Sequence, residues 1–521
     1  MESRQYRIQV SDGDGGTSEP AVVTVNVTPE RDGAEAIFEE RTTNSFIAGN
    51  QEQPTVAALA DGGYVIVWES DEQDGAGSGI FGQRYSADGV IVGPEFLINT
   101  QVLGSQVDPQ VAGLAGGGFV VTWTDQDSNV DGSGWGVFAQ QYSAGGTPQG
   151  SPFLVNTITS SSQYEPTIAA LNDGGYLIAY RDGGNADGSA DGVFAQRYDA
   201  SGATAGVEFQ INTQASSNQF DPGVASLADD GFVVVWTSVT SGSTGDGDGW
   251  GTFGQRYDAA GNAVGGEFQV NTNIQSSQYE AVVTGLTGGG FVVTWRDDSG
   301  LDGSGSGIFA QVYDAGGAPV GGEFRVNETT SNSQTEPAIA ALDNGGFTVA
   351  WRDSNSADDI FAQQYDAAGN RIDGEFRVNT ETASTQASPS IAGLPGGNFV
   401  VAWQSFTSGS AGDGDSYGIS HQLFGDVGDF SSQAAPVLEA FNSEVTFAES
   451  AVNAGPQLLD ANAAVAVSDA DSGDFDGGNI LVSRLNIPEA MLDQFNSPDD
   501  GTQDQLGVRN QGSGPAEVGV S

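Results

Sequence analysis

Five acidic residues recur along this sequence at intervals of 56–59 residues, and four of the five stand directly before a proline. They are Asp108, Glu165, Asp221, Glu280 and Glu336. Carboxylates held on Gly-rich segments are the ligands that Ca²⁺ prefers, because this ion takes roughly six to eight oxygen atoms. The recurrence therefore indicates a cation site, on condition that the fold brings the five carboxylates together.

A second group of acidic residues lies in Asp/Gly/Ser-rich segments between or beyond short apolar runs. It comprises Asp71, Asp74, Asp127, Asp131, Asp298, Asp302, Asp469 and Asp471. None of these segments has the ligand spacing of an EF-hand loop. Asp–Gly pairs are also ordinary turn residues, and an acidic residue before proline can simply accept hydrogen bonds from a loop. Calcium binding and a purely structural role therefore both remain open, and Ca²⁺ is the one cofactor that the sequence predicts.

Three arginines, Arg181, Arg296 and Arg352, each follow an aromatic residue at the end of an apolar run and each precede an aspartate. A guanidinium group can bind a carboxylate through two parallel hydrogen bonds. The trio could therefore hold an acidic ligand. Alternatively, each arginine pairs locally with the aspartate that follows it, which is Asp182, Asp297 or Asp353.

The overall charge and composition exclude several classes of partner and site. The 521 residues include 69 Asp and Glu against 15 Lys and Arg, which gives a formal net charge of −54. A surface this acidic repels phosphate groups, so nucleic acid and anionic lipid are excluded as partners. The absence of cysteine excludes disulfides, thiolate nucleophiles and Cys-based zinc sites. Hydrophobic residues make up 38% of the chain, which is too much for a disordered acidic tail.

The apolar runs are strand-sized, as in Phe232–Trp236, and none approaches the ~18 residues that a membrane-spanning helix needs. The first six residues contain neither the basic nor the apolar region of a signal peptide. The sequence therefore predicts no insertion into a membrane.

Seven copies of one sequence unit supply the elements that must position these residues. A Gly-containing turn followed by an aromatic and apolar run marks each copy, and the run ends at Trp68, Trp123, Tyr180, Trp236, Trp295, Trp351 and Trp403. Each copy contains four segments, A to D, of β-branched and aromatic residues bounded by Gly, Asp and Asn turns, which is the signature of strands. Four antiparallel strands repeated radially predict an all-β fold, a seven-bladed β-propeller over residues 36–430.

The phase of the repeat predicts how the ring of blades closes. The last copy ends after segment C, at Ile419–Phe424, and Phe38–Thr42 stands ahead of the first copy where segment D stands elsewhere. The N-terminal segment is therefore expected to supply the outer strand of the seventh blade. In such a ring the B–C loops and the D–A connections emerge on one face, which we call the B–C face. Because strand A is innermost, the five recurrent acidic residues should surround the channel mouth on that face.

Two further features of the copies have alternative interpretations. Trp135, Trp250 and Tyr417 occupy one B–C loop position in copies 2, 4 and 7, where they could stack on a sugar ring or pack against a blade edge. His421, the only histidine, takes a strand C position that holds Ala or Gly in other copies. Glutamines recur in every copy, once before strand A and once within strand C. We expect the histidine and the glutamines to be structural, the glutamines as hydrogen-bond clamps.

The flanking regions follow a different pattern. Residues 1–35 contain two alternating segments, Tyr6–Val10 and Val22–Thr28, which are typical of the last hairpin of an immunoglobulin-like sandwich. Residues 431–521 begin another such pattern without completing a domain. We therefore expect a monomeric part of a longer modular chain, with the propeller between two partial sandwich domains.

Some motifs resemble those of known families. Val10–Gly16 and Val467–Gly473 resemble cadherin-like repeats of large bacterial surface proteins. The central motifs Gly-Gly-Phe-Val-Val-x-Trp and Gly-x-Phe-x-Gln-Arg-Tyr-Asp resemble repeats of RTX-type secreted adhesins. The resemblance implies a calcium-dependent extracellular or cell-surface protein that a type I system secretes. The Gly-Gly-x-Gly-x-Asp nonapeptide array of RTX proteins does not occur in this sequence.

The sequence thus favours a calcium-dependent adhesion or binding module whose propeller is a platform for carbohydrate or another cell-surface ligand. One alternative is a propeller hydrolase or lyase that acts on polysaccharide with two carboxylates as acid and base. Against catalysis, the acidic residues recur in copy after copy, whereas catalysis needs a few residues that differ from the repeat. The other alternative is an inert spacer without a ligand.

A melting experiment tests the calcium prediction. An ion that binds only the folded state raises the melting temperature, so we expect Tm to rise by roughly several degrees between excess chelator and millimolar Ca²⁺. The measurement is a thermal melt followed by circular dichroism, with Mg²⁺ at the same concentration as the control. An unchanged Tm would contradict calcium binding.

Overall fold

The computed structural model describes residues 34–425, except 128–131, 133, 185, 189–190, 216, 241–248, 355–357, 383 and 407–415. Outside that range it describes the backbone of residues 2–10, 21–27, 480–484, 507–508 and 518–519. The chain divides into two compact units, one formed by Arg31–Val427 and the other by Met1–Glu30 with Gly428–Ser521.

The larger unit is the all-β, seven-bladed propeller that the repeats predict, with four-stranded antiparallel blades in the order A-B-C-D. Strands A and B of blades 1 to 7 are Gln51–Ala58 and Tyr64–Asp71, Gln106–Gly113 and Phe119–Asp125, Gln163–Ala170 and Tyr176–Asp182, Gln219–Ser226 and Phe232–Thr240, Gln278–Gly285 and Phe291–Asp297, Ser333–Ala341 and Phe347–Ser354, and Gln386–Gly393 and Phe399–Phe406. Strands C and D of blades 1 to 6 are Ser78–Tyr85 and Ile91–Leu97, Gly136–Tyr142 and Phe153–Leu154, Gly192–Tyr198 and Phe209–Gln210, Gly249–Tyr257 and Ala263–Gln269, Gly307–Tyr313 and Pro319–Arg325, and Asp359–Tyr365 and Arg371–Arg377. Strand C of blade 7 is Tyr417–Gly425.

Helical structure is almost absent from the described residues, which contain one 3-10 turn, Pro395–Gly397. No helix in the described part of the chain is long and apolar enough to cross a membrane.

Hydrophobic contact between blades forms the core. Seven clusters of buried side chains are present, and each joins two neighbouring blades. Strand B lies inside each sheet and is buried on both faces, so that Trp68 and Trp351 are only 0% and 1% exposed. Burying a large apolar side chain contributes roughly 1.5–3 kcal/mol. Each blade therefore depends on both neighbours for its stability.

The N-terminal segment closes the ring of blades, as the phase of the repeat predicts. Arg41–Thr42 pairs with Ser420–His421 in strand C of blade 7, and Glu35–Ala36 pairs with Phe424–Gly425. Strands A of blades 7 and 1 are also in contact, so the seventh blade completes the circle.

His421 lies buried at this closure. Its ring shares a 2.8 Å hydrogen bond with the Thr43 hydroxyl through Nδ1, and it packs against Tyr85 with ring centroids 4.6 Å apart. Burial, and to a smaller extent the charge of Arg41, lowers the His421 pKa to about 3. The imidazole is therefore neutral at physiological pH and contributes to the closure as an uncharged packing group.

A buried asparagine at the end of strand D joins each blade to the next. Its Oδ1 accepts the backbone N–H of a strand C residue at 2.7–2.9 Å in all seven blades. In six blades its Nδ2 donates to a strand A glutamine of the next blade at 2.8–3.0 Å. The glutamines therefore act as the expected clamps. The asparagines are Asn44, Asn99, Asn156, Asn212, Asn271, Asn327 and Asn379.

Six carboxylates on strand D also have a structural role. Each accepts a backbone N–H from the D–A connection of the preceding blade, as Glu323 does from Thr272 at 2.7 Å. The six are Glu40, Glu95, Glu208, Glu267, Glu323 and Glu375. Blade 2 carries Pro152 at the corresponding position. Part of the large negative charge thus holds neighbouring blades together.

The second unit contains two small sheets. Glu2–Val10 pairs antiparallel with Ala21–Val27 and, along its other edge, with Ile480–Arg484. Gly507–Val508 pairs with Val518–Gly519. The partial sandwich domains at 1–35 and 431–521 remain predictions.

Close approach of neighbouring strands A gives a test of the packing between blades. A Cβ on Gly285 would lie 2.0 Å from the carbonyl oxygen of Ser226 in the preceding blade. Gly285→Ala should therefore force the two strands apart and lower the free energy of unfolding by about 1–3 kcal/mol. Gly322→Ala in an outer strand is the matched control, because a Cβ there meets nothing within 4 Å. Equal urea midpoints for the two variants would contradict this account.

Candidate functional site

Each strand A is interrupted by a β-bulge near the B–C face. In blade 3, for example, Glu165 and Pro166 both lie opposite Tyr180, so the strand A–B pairing shifts register. The first residue of each bulge has a positive φ of 49–55° in all seven blades. These bulge residues are Gln53, Asp108, Glu165, Asp221, Glu280, Glu336 and Ser388. This backbone conformation costs roughly 1–3 kcal/mol for a residue with a side chain, so surrounding contacts must hold it.

Side chains of the preceding blade hold several of the bulges in place. A carboxylate or amide oxygen accepts the backbone N–H of the next bulge residue, in the pairs Glu69–Asp108 (2.7 Å), Glu165–Asp221 (3.4 Å), Glu280–Glu336 (3.0 Å), Glu336–Ser388 (2.6 Å) and Gln404–Gln53 (3.0 Å). The five predicted carboxylates therefore lie side by side on blades 2 to 6. Several also have a structural task, which is the alternative that the sequence left open.

The three arginines each bind two carboxylates. One partner is the bulge glutamate of the same blade, and the other lies in the B–C loop. The pairs are Arg181 with Glu165 (3.0 Å) and Asp191, Arg296 with Glu280 (3.4 Å) and Asp298 (2.8 Å), and Arg352 with Glu336 (2.7 Å) and Asp358 (2.6 Å). The alternative pairing with Asp182, Asp297 and Asp353 is wrong, because successive side chains on a strand point to opposite faces and those carboxylates accept from other donors. Asp182, for example, accepts a hydrogen bond from Gln163 at 2.8 Å.

Aromatic rings and guanidinium groups follow one another on the B–C face from blade 2 to blade 5. We call this series the aromatic–arginine arc. Its members are, in order, Trp135, Tyr164, Arg181, Phe220, Trp250, Tyr279 and Arg296. Successive members lie 4.8–5.9 Å apart, measured between ring centroids or from the guanidinium carbon to a centroid.

Two of the three predicted loop aromatics belong to the arc. Trp135 and Trp250 contact strand A rings of the next blade, yet they remain 38% and 37% exposed. Tyr417 instead packs against Phe406 in blade 7, with ring centroids 5.2 Å apart. Sequence reasoning missed Tyr164, Phe220 and Tyr279, although each directly follows a recurrent strand A glutamine.

The described carboxylates that the sequence predicts as calcium ligands lie between strands B and C of blades 1, 2 and 5, or at the end of strand B in the case of Asp71, and they form hydrogen bonds to nearby groups. Asp71 accepts from Ser78 (2.8 Å), Asp74 from Asn99 (3.1 Å), Asp298 from Tyr279 (2.9 Å) and Asp302 from the Ser304 backbone (3.1 Å), while the Asp127 backbone N–H donates to Asp125 (3.0 Å). Among the described residues, no three acidic or histidine side chains are grouped so that they could hold a metal ion. Asp131, Asp469 and Asp471 lie outside the described residues. Calcium binding stays a prediction.

Burial changes the protonation of two carboxyls at the channel mouth. Desolvation, followed by the charges of Glu165 and Glu280, raises the Asp221 pKa to about 7. Desolvation likewise raises the Glu69 pKa to about 8. Within the described part of the chain, no hydrogen-bond donor reaches the Asp221 carboxylate. Sequence reasoning missed Glu69, whose signal was a glutamate directly after the strand B aromatic, where other copies have Thr, Arg or Gln.

The channel wall is lined by small and aliphatic uncharged side chains away from the acidic mouth. A cavity of about 410 Å³ lies between the strands A of blades 1 to 5. Its lining includes Ala58, Ala112, Ile168, Val224 and Val283. The charged groups of strand A are therefore concentrated at the B–C end of the channel.

No protein-family model matches the chain, and no curated protein sequence matches it. Several solved structures are similar to the chain at low sequence identity. A Dyadobacter fermentans protein of unknown function is 13% identical, with a TM-score of 0.46 over 75% of this chain and 99% of that one. A Penicillium chrysogenum α-L-arabinanase complexed with arabinobiose is 14% identical, with a TM-score of 0.42 over 61% and 92% of the two chains. The Streptococcus pneumoniae NanB sialidase is 11% identical, with a TM-score of 0.39 over 77% and 71%. Similarity at this level assigns neither a family nor an activity to the chain.

The protonation of Asp221 predicts a pH-dependent stability. Its ordinary pKa is 3.8 and its folded-state value is about 7, so the folded chain retains a proton that the unfolded chain releases. Stability attributable to Asp221 therefore falls as pH rises between about 4 and 7. Asp221→Asn should raise Tm by about 2 °C or more at pH 8 and leave it unchanged near pH 4.

The control for this experiment is Asp88→Asn, in an exposed C–D turn on the opposite face of the propeller. It should show no pH-dependent change in Tm relative to the parent chain. A Tm difference for Asp221→Asn that is the same at both pH values would contradict the assignment.

Proposed function

We propose that the B–C face of this propeller binds carbohydrate through the aromatic–arginine arc. The observation that carries the proposal is the row of partly exposed rings at Trp135, Tyr164, Phe220, Trp250 and Tyr279. Rings held in fixed positions offer apolar faces and edges on which sugars stack, at little cost in conformational entropy. Carboxylates beside them supply acceptors for sugar hydroxyl groups, and charged acceptors make the stronger hydrogen bonds.

The position of the arc supports a ligand that spans several blades. Its rings come from strand A of blades 3, 4 and 5, from the end of the B–C loop of blade 2 and from the start of strand C of blade 4, so a chain molecule rather than a single small ligand would use it fully. The arginines hold their own place through ion pairs and lie against Tyr164, Phe220 and Tyr279. The arc is therefore largely preformed, which reduces the entropy that binding must overcome.

Glycoside hydrolysis is a second candidate, favoured by Asp221. A general acid needs a carboxyl that keeps its proton near neutral pH, and burial gives this group a pKa of about 7. The backbone N–H of Asp221 is 3.4 Å from a carboxylate oxygen of Glu165, which is paired with Arg181 and could act as the second carboxylate. In this role Asp221 would protonate the leaving oxygen of a glycosidic bond.

The setting of this module is also a proposal, and it rests on the sequence motifs alone. In it, the chain is a monomeric part of a larger secreted bacterial adhesin, outside the cell or on its surface, exported by a type I system and stabilised by Ca²⁺. The ligand would then be a carbohydrate or another component of a cell surface. An inert spacer remains the alternative that predicts no ligand.

A glycan array with the intact chain tests the proposed function, and Trp250→Ala is the informative variant. Because the indole lies between Phe220 and Tyr279, its removal should weaken binding to any glycan that the parent chain recognises by about tenfold. Tyr417→Ala is the matched control, because Tyr417 is the first residue of strand C in blade 7 and lies outside the arc, and the glycan binding of this variant should be unchanged. The assay should be repeated in Ca²⁺ and in chelator.

The same glycans, incubated with the protein and assayed for new reducing ends, separate the two candidates. Hydrolysis predicts product that Asp221→Asn abolishes while binding persists. Binding without product would favour a platform that binds carbohydrate and does not hydrolyse it. An array on which no glycan binds would contradict the proposed function.

A further inference from the structure

The charges beside the arc restrict what kind of sugar it can take. Each arginine already contacts two carboxylates. The N···O distance is 3.0 Å between Arg181 and Glu165, and it is 2.6–3.4 Å for the two contacts each of Arg296 and Arg352. An acidic sugar could gain a guanidinium partner only by displacing one of these carboxylates. Because a charge-assisted pair is costly to break once partly buried, the arginines are poor receptors for a ligand carboxylate.

The site as a whole carries an excess of negative charge. Nine carboxyl groups lie at the bulges and in the paired loops of the described residues, against three guanidinium groups. The nine are Glu69, Asp108, Glu165, Asp191, Asp221, Glu280, Asp298, Glu336 and Asp358. Even with two of them protonated, carboxylates outnumber cations. A ligand with positive charge gains from this field, and an anionic ligand is repelled.

One carboxyl beside the arc has no hydrogen-bond donor of its own among the described residues. Asp221 directly follows Phe220 in blade 4, and Trp250 of the same blade packs against that ring with centroids 5.1 Å apart. No donor within the described part of the chain reaches the Asp221 carboxylate, whereas Glu165 and Glu280 on either side already bind Arg181 and Arg296. An ammonium group would both satisfy this carboxylate and gain attraction to the aromatic faces.

We propose that the arc selects oligosaccharides that carry ammonium groups, that is, amino sugars with free amines, and that Asp221 accepts the ammonium beside Phe220 and Trp250. This inference rests on the proposed carbohydrate binding and adds the class of sugar. It also assigns the acidic mouth a role that needs no metal ion. The arginines then act as positioning residues, which hold the rings and the flanking glutamates in place.

Titration calorimetry with three hexasaccharides of matched length tests the selection: a β-1,4-glucosamine hexamer, its fully N-acetylated form and an oligogalacturonate. At about 150 mM salt, where unspecific attraction to the acidic chain is largely screened, we expect the glucosamine hexamer to bind about tenfold tighter than the N-acetylated form. The oligogalacturonate should bind weakest. Trp250→Ala should weaken both glucosamine-based ligands.

Two variants of equal charge separate the site from the general charge of the protein. Asp221→Asn should remove most of the preference for the glucosamine hexamer over its N-acetylated form, and Asp88→Asn on the opposite face should leave the preference intact. Melting curves confirm that both variants fold.

If the N-acetylated or acidic hexamer binds as tightly as the glucosamine hexamer, the inference is overturned and carbohydrate binding stands. If Asp221→Asn keeps the full preference, the assignment of Asp221 is overturned. If no hexamer binds here and no glycan binds on the array, the proposed function itself fails.

Discussion

Contact between neighbouring blades is the interaction on which the rest of this structure depends. A single four-stranded sheet would expose both faces of its strand B, and only two flanking blades bury them. The buried asparagines repeat one connection around the ring, from strand C through strand D to strand A of the following blade. The last such connection, through Asn44 and Gln51, forms only because the N-terminal segment returns to blade 7. Ring closure and blade stability are therefore one requirement.

That requirement also determines where functional groups can lie. Most symmetric positions hold residues that the blades share, whereas residue type varies on the B–C face in three places: strand A at and just before the bulge, the residue after the strand B aromatic, and the B–C loop with the start of strand C. Because these three positions meet on one face, a change of residue type in blades 2 to 5 creates a local surface without disturbing the ring. Aromatic residues and arginines at those positions give the arc, while the carboxylates serve both the bulges and the mouth.

The sequence predicted the architecture closely and the site only in part. A repeat that is visible in the order of the residues predicts the strands, the number of blades and the closure through Phe38–Thr42. The arc does not, because contacts such as Trp250 with Tyr279 cross from one blade to the next and depend on a bulge that shifts the strand register. The pairing of each arginine with the following aspartate, which the sequence leaves as an alternative, fails for a different reason: Arg181 and Asp182 are successive residues of strand B, and successive side chains point to opposite faces of a sheet. The cation site that the acidic residues indicate stays a prediction, and the sequence did not reveal that the strand D glutamates hold neighbouring blades together.

The central claim is that a ligand occupies the B–C face of blades 2 to 5, and hydrogen–deuterium exchange of the intact chain, with and without saturating glucosamine hexamer, tests it most directly. The account predicts slower exchange in peptides that cover the strand A bulges of blades 3, 4 and 5 and the start of strand C in blades 2 and 4. Peptides from the A–B and C–D turns on the opposite face should exchange at the same rate with and without ligand. Protection confined to those turns, or no protection in the bulge peptides at saturation, would contradict the account.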